Sequence, residues 1–160
     1  MIQQLPRRDT ARMVRAANGN EPIEAWESFL QAYSRLSDKL AVELKSERDL
    51  ELSWYEVLLH LSRAPGHRLR LQDLATQVLY SRSGLTRLVD RMVTAGLVER
   101  EPCEEDKRGT WAVLTPPGLR AFRRAAPTHV RGIDEHFVSK LSEEEIAIIS
   151  SAMRRLADNA

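Results

Sequence analysis

The chain has 160 residues, of which 42% are hydrophobic and 29% are charged, with 24 basic residues against 23 acidic ones. This length suits one domain with its own core, and the hydrophobic content excludes an intrinsically disordered chain. The formal net charge of +1 excludes a uniformly basic coat protein for nucleic acid. Any surface that binds nucleic acid must therefore come from segregated charge.

The single cysteine, Cys103, excludes a disulfide within the chain and a zinc site built from cysteines. No apolar run approaches the ~20 residues of a membrane-spanning helix. The arginine-rich N-terminus lacks the apolar segment that a signal peptide needs. These features predict a cytoplasmic protein without a membrane partner.

The spacing of the apolar residues predicts a mostly α-helical chain with one small β-hairpin. Helices are predicted over residues 22–46, 53–63, 72–79 and 84–95, strands over 97–100 and 110–114, and two more helices from residue 116 onwards. The basic N-terminal segment allows one further short helix over residues 10–17.

Capping signals predict where several helices begin and end. Ser53 and Ser142 each start a Ser-x-x-Glu capping box, and Thr115 precedes a proline suited to the first helical position. Gly96 is suited to end the helix over 84–95, because glycine adopts positive φ without strain. Pro127 should kink or split the helix that follows the hairpin.

Two short helices joined by a tight turn and followed by a hairpin are the parts of a winged helix-turn-helix. Its second helix enters the major groove of DNA and reads base edges near its N-terminus. Helical spacing predicts an inward apolar stripe on that helix, formed by Leu85, Leu88, Val89 and Met92. The residues left in the turn or on the outer face are Ser81, Arg82, Ser83, Thr86, Arg87 and Arg91. Hydroxyl and guanidinium groups suit phosphate oxygens and guanine edges, so we predict that these residues bind DNA.

Positive charge is concentrated in the same part of the chain. Six arginines and two aspartates lie between residues 63 and 91, whereas residues 134–145 contain five acidic residues and one lysine. Such segregation favours one anionic partner for one face, although arginines also coat solvated helices. Lys107 and Arg108 end the otherwise acidic loop of the hairpin, and we predict that they enter a minor groove.

Five stretches occur in the order that is typical of one known family: Leu74–Ala75, Leu85–Met92, Ala95–Arg100, Asp106–Gly109 and Val113–Gly118. Through them the chain resembles the MarR family of transcriptional regulators, over about residues 22–158. The resemblance implies a homodimer with interdigitated terminal helices and two winged lobes on a palindromic operator. It also implies control by a small ligand that binds between the dimer helices and the DNA-binding lobe.

The terminal helices independently favour a dimer, because their apolar stripes exceed what a small three-helix lobe can cover. A monomer with a folded-back bundle is the alternative. We therefore expect a single domain over residues 1–160. Within it, residues 1–46 and 116–160 would form the dimerisation helices, and residues 52–115 the winged helix-turn-helix lobe.

Aromatic side chains indicate where a small effector would bind. The residues predicted to line this pocket are Trp26, Tyr33, Trp54, Tyr55 and His60. Aromatic walls suit a flat aromatic or phenolic ligand. The alternative is that these rings belong to the core.

Neither a metal nor another cofactor is expected. His129 and His136 lie about 10 Å apart along a helix, which is too far for both to bind one ion directly. The sequence also lacks a phosphate-binding loop, a His-Glu-x-x-His motif and a Gly-x-Ser-x-Gly motif, so we do not expect an enzyme.

These patterns predict a dimeric, ligand-responsive regulator of transcription that binds specific double-stranded DNA, in most such families as a repressor. The alternative is a winged-helix module that binds another protein and no DNA. The acidic residues of the hairpin loop favour that alternative, because they would repel phosphates.

Overall fold

A computed structural model describes residues 21–78, 81–103 and 109–158. Its elements in chain order are α1 Glu21–Arg48, α2 Leu52–Arg63, β1 Arg68–Arg70, α3 Leu71–Gln77, α4 Arg82–Thr94, β2 Val98–Pro102, β3 Thr110–Leu114, α5 Pro116–His136 and α6 Glu143–Ala157. This mostly helical architecture with a small antiparallel sheet confirms the predicted fold class. The short helix allowed over residues 10–17 lies outside the described residues.

The chain divides into two compact units, residues 1–38 and residues 39–160. The described part of the first unit is the N-terminal portion of α1. Its exposed apolar side chains are Ile23, Trp26, Phe29, Leu30 and Tyr33. Contiguous apolar surface of this kind indicates a contact region. None of the helices in the described ranges is both long enough and apolar enough to span a membrane.

The core of the second unit joins α2, α3, α4 and the sheet. On α4 the buried side chains are Leu85, Leu88, Val89 and Met92, which confirms the predicted inward stripe. They pack in one cluster with Leu58 and Leu61 of α2 and with Leu74 of α3. Burial of each such side chain stabilises the fold by about 1.5–3 kcal/mol. The opposite face of α4 therefore points towards solvent, where a partner can reach it.

The sheet has three strands in the order β1-β3-β2, with both pairs antiparallel. The sequence predicts β2 and β3 but not β1, because the three residues of Arg68–Arg70 are too few to show a period. The preceding turn places Gly66 at φ 62° and His67 at φ 56°. Leu69 lies opposite Ala112 of β3 and packs against the core.

The second half of α1 is tied to α5 by a polar network within the second unit. Arg48 Nε donates to Thr128 Oγ1 at 2.8 Å, and Thr128 Oγ1 donates to Glu47 Oε2 at 3.2 Å. The Arg131 guanidinium beside Glu47 holds the pKa of that carboxyl below its usual value. Gly132 permits this close approach, because a Cβ there would lie 2.6 Å from the side chains of Leu40 and Glu43.

Most predicted helix ends are confirmed. Ser142 and Glu145 form the predicted capping box at the start of α6. Thr115 caps α5 by accepting a hydrogen bond from Gly118 N at 3.0 Å. Gly96 follows the end of α4 with φ 70°, a conformation that glycine adopts without strain.

The predicted capping box at Ser53 is wrong. The helix begins at Leu52, with Glu51 as the N-cap and no side-chain capping bond. The carbonyl of Glu51 accepts hydrogen bonds from the backbone of both Trp54 and Tyr55 at 3.0 Å, so the first turn starts before Ser53. A buried side chain at Leu50 anchors the chain just ahead of this turn.

Of the two predicted effects of Pro127, a kink or a split, the split is wrong, because α5 is continuous from Pro116 to His136. Pro127 is exposed on the outer side of the helix, where the carbonyl left without its helical N–H partner can reach water. The neighbouring Ala125 and Thr128 are fully buried. Packing on both sides of the proline therefore outweighs the missing hydrogen bond.

Candidate nucleic-acid interface

Helix α4 has one apolar face in the core and one polar face towards solvent. Ser83, Thr86 and Arg87 lie on the polar face, outside the buried stripe. These three members of the predicted set therefore lie together, within the first two turns of the helix. Arg82 is the first residue of α4, but its side chain lies outside the described part of the structure.

The N-terminus of α4 is fixed by the turn before it. Ser81 is the N-cap, and its Oγ accepts a hydrogen bond from Gly84 N at 3.1 Å. The Ser83 hydroxyl lies 3.4 Å from that of Ser81, and Arg87 Nε reaches back to the Ser83 carbonyl at 3.4 Å. The helix therefore presents two hydroxyls and a guanidinium beside its N-terminus, whose partial positive charge also favours a phosphate.

Arg100 of β2 connects the hairpin to α4, a role that the sequence does not reveal. Its Nη2 lies 2.8 Å from Asp90 Oδ1 and donates to the Thr86 carbonyl at 3.2 Å. With two contacts, the planar guanidinium of Arg100 fixes both the distance and the orientation of β2 relative to α4. The hairpin is thereby held at a defined position along the polar face of α4.

Arg91 lies more than one turn beyond the hydroxyls of α4. Its Nη2 is 3.7 Å from Glu51 Oε2, and both side chains are about half exposed. A pair this long and this exposed contributes at most about 1 kcal/mol. Arg91 can therefore exchange this carboxylate for another anion at low cost.

The sequence predicts that the hairpin loop inserts Lys107 and Arg108 into DNA, but both residues lie outside the described residues. The residues that flank the loop are described. Cys103 is buried, and its backbone N–H donates to the Gly109 carbonyl at 3.1 Å. This hydrogen bond joins the end of β2 to the start of β3, so the two ends of the loop are held close together.

The residues predicted to bind an effector fall in both units of the chain. Trp26 and Tyr33 belong to the first unit and are exposed. Trp54, Tyr55 and His60 belong to the second unit, where Tyr55 is buried and the other two are partly buried. The Tyr55 ring contacts Phe122 and His129 of α5, with ring centroids 5.6 Å and 4.3 Å apart.

His129 is a second residue that the sequence does not identify as part of this aromatic cluster. Its Nδ1 is buried and, like Trp54 Nε1, has no hydrogen-bond partner among the residues that the structure describes. Burial lowers the pKa of the His129 imidazole and raises the pKa of the Tyr55 phenol. The rings of Tyr55, Phe122 and His129 thus surround one buried polar atom, His129 Nδ1, that can still accept or donate a hydrogen bond.

The lowered pKa of His129 predicts that the fold loses stability in mild acid. Above the unfolded-state pKa of about 6.5, histidine is neutral in both states. As the pH falls below that value towards the lower folded pKa, the unfolded chain takes up the proton first, so the free energy of unfolding decreases. We expect His129→Leu to lose part of this decrease, measured by urea unfolding at several pH values.

His67→Asn is the matched control for that measurement. His67 is exposed and has φ 56°, a conformation that asparagine tolerates, so this variant removes a histidine that lies outside the core. An identical pH dependence in His129→Leu and the parent protein would contradict the prediction.

One group of side chains has the spacing of a metal site. Glu43, Glu135 and His136 have potential ligand atoms within 4.8 Å of one another. His129, which the sequence places near this group, instead contacts Tyr55. His136 Nε2 is already 2.5 Å from Glu43 Oε1, so we interpret the group as a hydrogen-bonded contact between α1 and α5.

Comparison with known proteins identifies several proteins that are similar to this chain. A protein-family model described as the MarR family matches residues 48–109 of the chain. The structure of AbsC, a MarR-family transcriptional regulator from Streptomyces coelicolor, is 38% identical, covers 84% of this chain and 90% of its own, and superimposes with a TM-score of 0.79. Sco3205 from the same organism, a MarR-family regulator solved in complex with DNA, is 33% identical over 88% of both chains with a TM-score of 0.82.

The transcriptional regulator MhqR of Bacillus subtilis is 27% identical over 132 residues, which are 81% of this chain and 87% of MhqR. These relatives are regulators of transcription, which confirms that the chain is a regulator and not an enzyme. The matches at 38% and 33% identity confirm the predicted resemblance to the MarR family. The two faces of α4 and the hairpin agree with it. The chain belongs to the MarR family of winged-helix transcriptional regulators.

Proposed function

We propose that this regulator binds specific double-stranded DNA by inserting α4 into the major groove. The observation that carries the proposal is the polar N-terminal face of α4, with Ser83, Thr86 and Arg87 beside a capped helix end. Arg82 and Ser81 would contact the same groove. Lys107 and Arg108 would enter the adjacent minor groove, and Arg91 would bind a phosphate. The relative Sco3205 was solved with DNA, which supports this partner.

The same proposal includes a homodimer on a palindromic operator. Each unit of the chain exposes apolar side chains on a terminal helix, such as Tyr33 at 62% and Leu156 at 63%. Pairing with a second copy would bury these side chains, and two-fold symmetry in the protein would then match a palindrome in the DNA. Residues 1–46 and 116–160 would supply this contact, and residues 52–115 would form the DNA-binding lobe.

We further propose that the dimer represses transcription and that a small aromatic or phenolic ligand releases it. The contact of the Tyr55 ring with His129 supports such a ligand, because it offers ring faces and a buried Nδ1 without a partner in the described structure. Trp54 and His60, which are partly buried in the same unit, would also contact the ligand. Release of operator DNA by benzoate or phenol would test this step directly.

A protein-interaction module without DNA binding is the second candidate. The exposed acidic side chains of Glu99 and Glu101 on β2 favour it, since they would repel phosphates. The salt dependence of binding separates the two candidates. A DNA-binding protein loses affinity steeply as salt rises, whereas an interaction module shows no binding to a duplex at any salt concentration.

Arg87→Ala tests the proposed function on an operator recovered by selection from genomic fragments. We expect operator affinity to fall by about 1–3 kcal/mol, since the shortened side chain no longer reaches a base edge or a phosphate. If Arg87 reads a base, random DNA should lose less affinity than the operator. If it binds a phosphate, both duplexes should weaken alike and the salt slope should fall by about one.

Arg120→Ala is the matched control, because Arg120 is an exposed arginine on α5 and lies outside residues 52–115, which the proposal assigns to the DNA-binding lobe. It should bind both duplexes like the parent protein. Unchanged affinity of both Arg82→Ala and Arg87→Ala on both duplexes would show that α4 is not the helix that reads DNA.

A further inference from the structure

Two arginines of β1 stack against one tryptophan of β3. The guanidinium carbon of Arg68 lies 4.8 Å from the centre of the Trp111 ring, and that of Arg70 lies 5.4 Å from it. Both distances are within the ~6 Å range of cation–π contacts. Two cations thus share one aromatic ring on the surface of the sheet.

The strand register places this stack on the outer face of the sheet. Arg70 is paired with Trp111, and Arg68 lies two residues earlier, so the three side chains are on one side. Leu69 alternates to the other side and packs against the core. The strand then ends at Arg70, which is also the N-cap of α3, the first helix of the helix-turn-helix.

The stack brings two positive charges to one ring. One guanidinium covers a tryptophan ring, whereas a second brings another positive charge to the same place and adds repulsion. An anion held between them would remove that repulsion. A guanidinium stacked by its face keeps its N–H groups at its edge, where they can bind an oxyanion.

The acidic neighbour of Arg68 holds it only loosely. Glu101 Oε2 is 3.6 Å from Arg68 Nη1, and the two side chains are 48% and 50% exposed. Exposed pairs with this geometry contribute at most about 1 kcal/mol. A phosphate diester can therefore displace Glu101 from Arg68.

We propose that Arg68 and Arg70, oriented by Trp111, bind a backbone phosphate of DNA, in addition to the contacts of α4 and the hairpin loop. This inference rests on the proposed function. In helix-turn-helix proteins the first helix crosses the DNA backbone, and Arg70 immediately precedes that helix here. Glu101 competes with the phosphate for Arg68. The contact adds affinity for any duplex and no sequence preference.

The experiment is a salt titration on a random duplex, because the contact is independent of sequence. For Arg68→Ala/Arg70→Ala we expect lower affinity and a slope of log affinity against log salt that falls by about 0.9 for each phosphate that the variant no longer binds. Operator and random duplex should weaken by the same factor. Glu101→Gln should bind more tightly than the parent protein at low salt, because it removes the competing carboxylate.

Arg120→Ala/Arg124→Ala is the matched control, since it removes the same two charges from exposed positions on α5. It should keep the parent slope. A slope for Arg68→Ala/Arg70→Ala equal to that of this control would overturn the inference. Unchanged or weaker binding by Glu101→Gln would also overturn the inference. This variant alters one exposed side chain and leaves the stack of Arg68 and Arg70 on Trp111 intact.

The same salt titration distinguishes failure of the proposed function from failure of the inference about Arg68 and Arg70. In that case the parent protein itself shows no salt-dependent binding to any duplex, and both proposals fall together. If the parent protein binds and Arg87→Ala weakens it, but the β1 variants match their control, only the inference about Arg68 and Arg70 is wrong.

Discussion

The double variant Met153→Glu/Leu156→Glu should sediment as a monomer and lose operator affinity by about a hundredfold or more, as linked binding sites do when they are separated. These side chains lie one turn apart on α6 and are 37% and 63% exposed within a single chain. In the proposed dimer they would be buried, and two carboxylates in an apolar interface cost far more than the remaining contacts can offset. Sedimentation and operator titration measure the two effects.

Ala147→Glu/Ser151→Glu is the control, because it adds the same two charges on the opposite side of α6, where both residues are exposed. We expect it to remain a dimer. The exposure of Met153 and Leu156 in the single chain also predicts that their replacement leaves the winged lobe folded, which circular dichroism can check. A parent protein that sediments as a monomer, or a Met153→Glu/Leu156→Glu variant that still dimerises, would contradict the assignment of α6 to the interface.

Gly118→Ala should destabilise the fold by about 3 kcal/mol, a large effect for adding one methyl group. A Cβ at this position would overlap the Leu97 carbonyl oxygen and lie 2.9 Å from Leu114 Cδ1. The carbonyl belongs to the backbone, so it cannot rotate away. The start of α5 must move, which breaks the cap from Gly118 N to Thr115 Oγ1 and the bond from Thr115 Oγ1 to the Gly96 carbonyl. These losses outweigh the ~1 kcal/mol by which alanine favours a helix over glycine.

Gly132→Ala provides the comparison for that substitution within the same helix. Its Cβ would meet Leu40 Cδ2 and Glu43 Oε2, each at 2.6 Å, and both are ends of side chains that can turn aside. It should cost clearly less stability than Gly118→Ala in chemical denaturation at one protein concentration. An equal or larger cost for Gly132→Ala would show that backbone contact at Gly118 is not what limits substitution there.

The elements of this protein were predictable wherever a regular period or a local cap extends over enough residues. The inward stripe of α4 follows from helical spacing, and the starts of α5 and α6 follow from Thr115 and Ser142, because each cap involves residues only three apart. The polar face of α4 could be predicted for the same reason. Once the apolar residues of a helix are assigned to the core, the direction of its polar residues is determined.

Predictions from short sequence motifs failed where packing or pairing with other residues decides the local structure. The cap at Ser53 was displaced by a turn around the Glu51 carbonyl, just after the buried Leu50. Strand β1 exists because β3, which follows much later in the chain, supplies its hydrogen-bond partners. Packing around Ala125 and Thr128 holds α5 together across Pro127. The causes at β1 and at Pro127 lie outside the few residues that a local motif spans, whereas at Ser53 an earlier first turn competes with the predicted cap within the same residues.

The sequence by itself determined the order of the elements other than β1, the fold class, and the hydroxyl and arginine side chains on the outer face of α4. Only the tertiary structure decided how that face is supported and extended. Arg100 holds the hairpin against α4 through Asp90 and the Thr86 carbonyl, and Arg68 shares the ring of Trp111 with Arg70. These pairs come from separate elements, so neither the period of a helix nor the alternation of a strand encodes them. They form because the shared core brings α4 and the three strands together, and contacts between distant residues become favourable only after that core has formed.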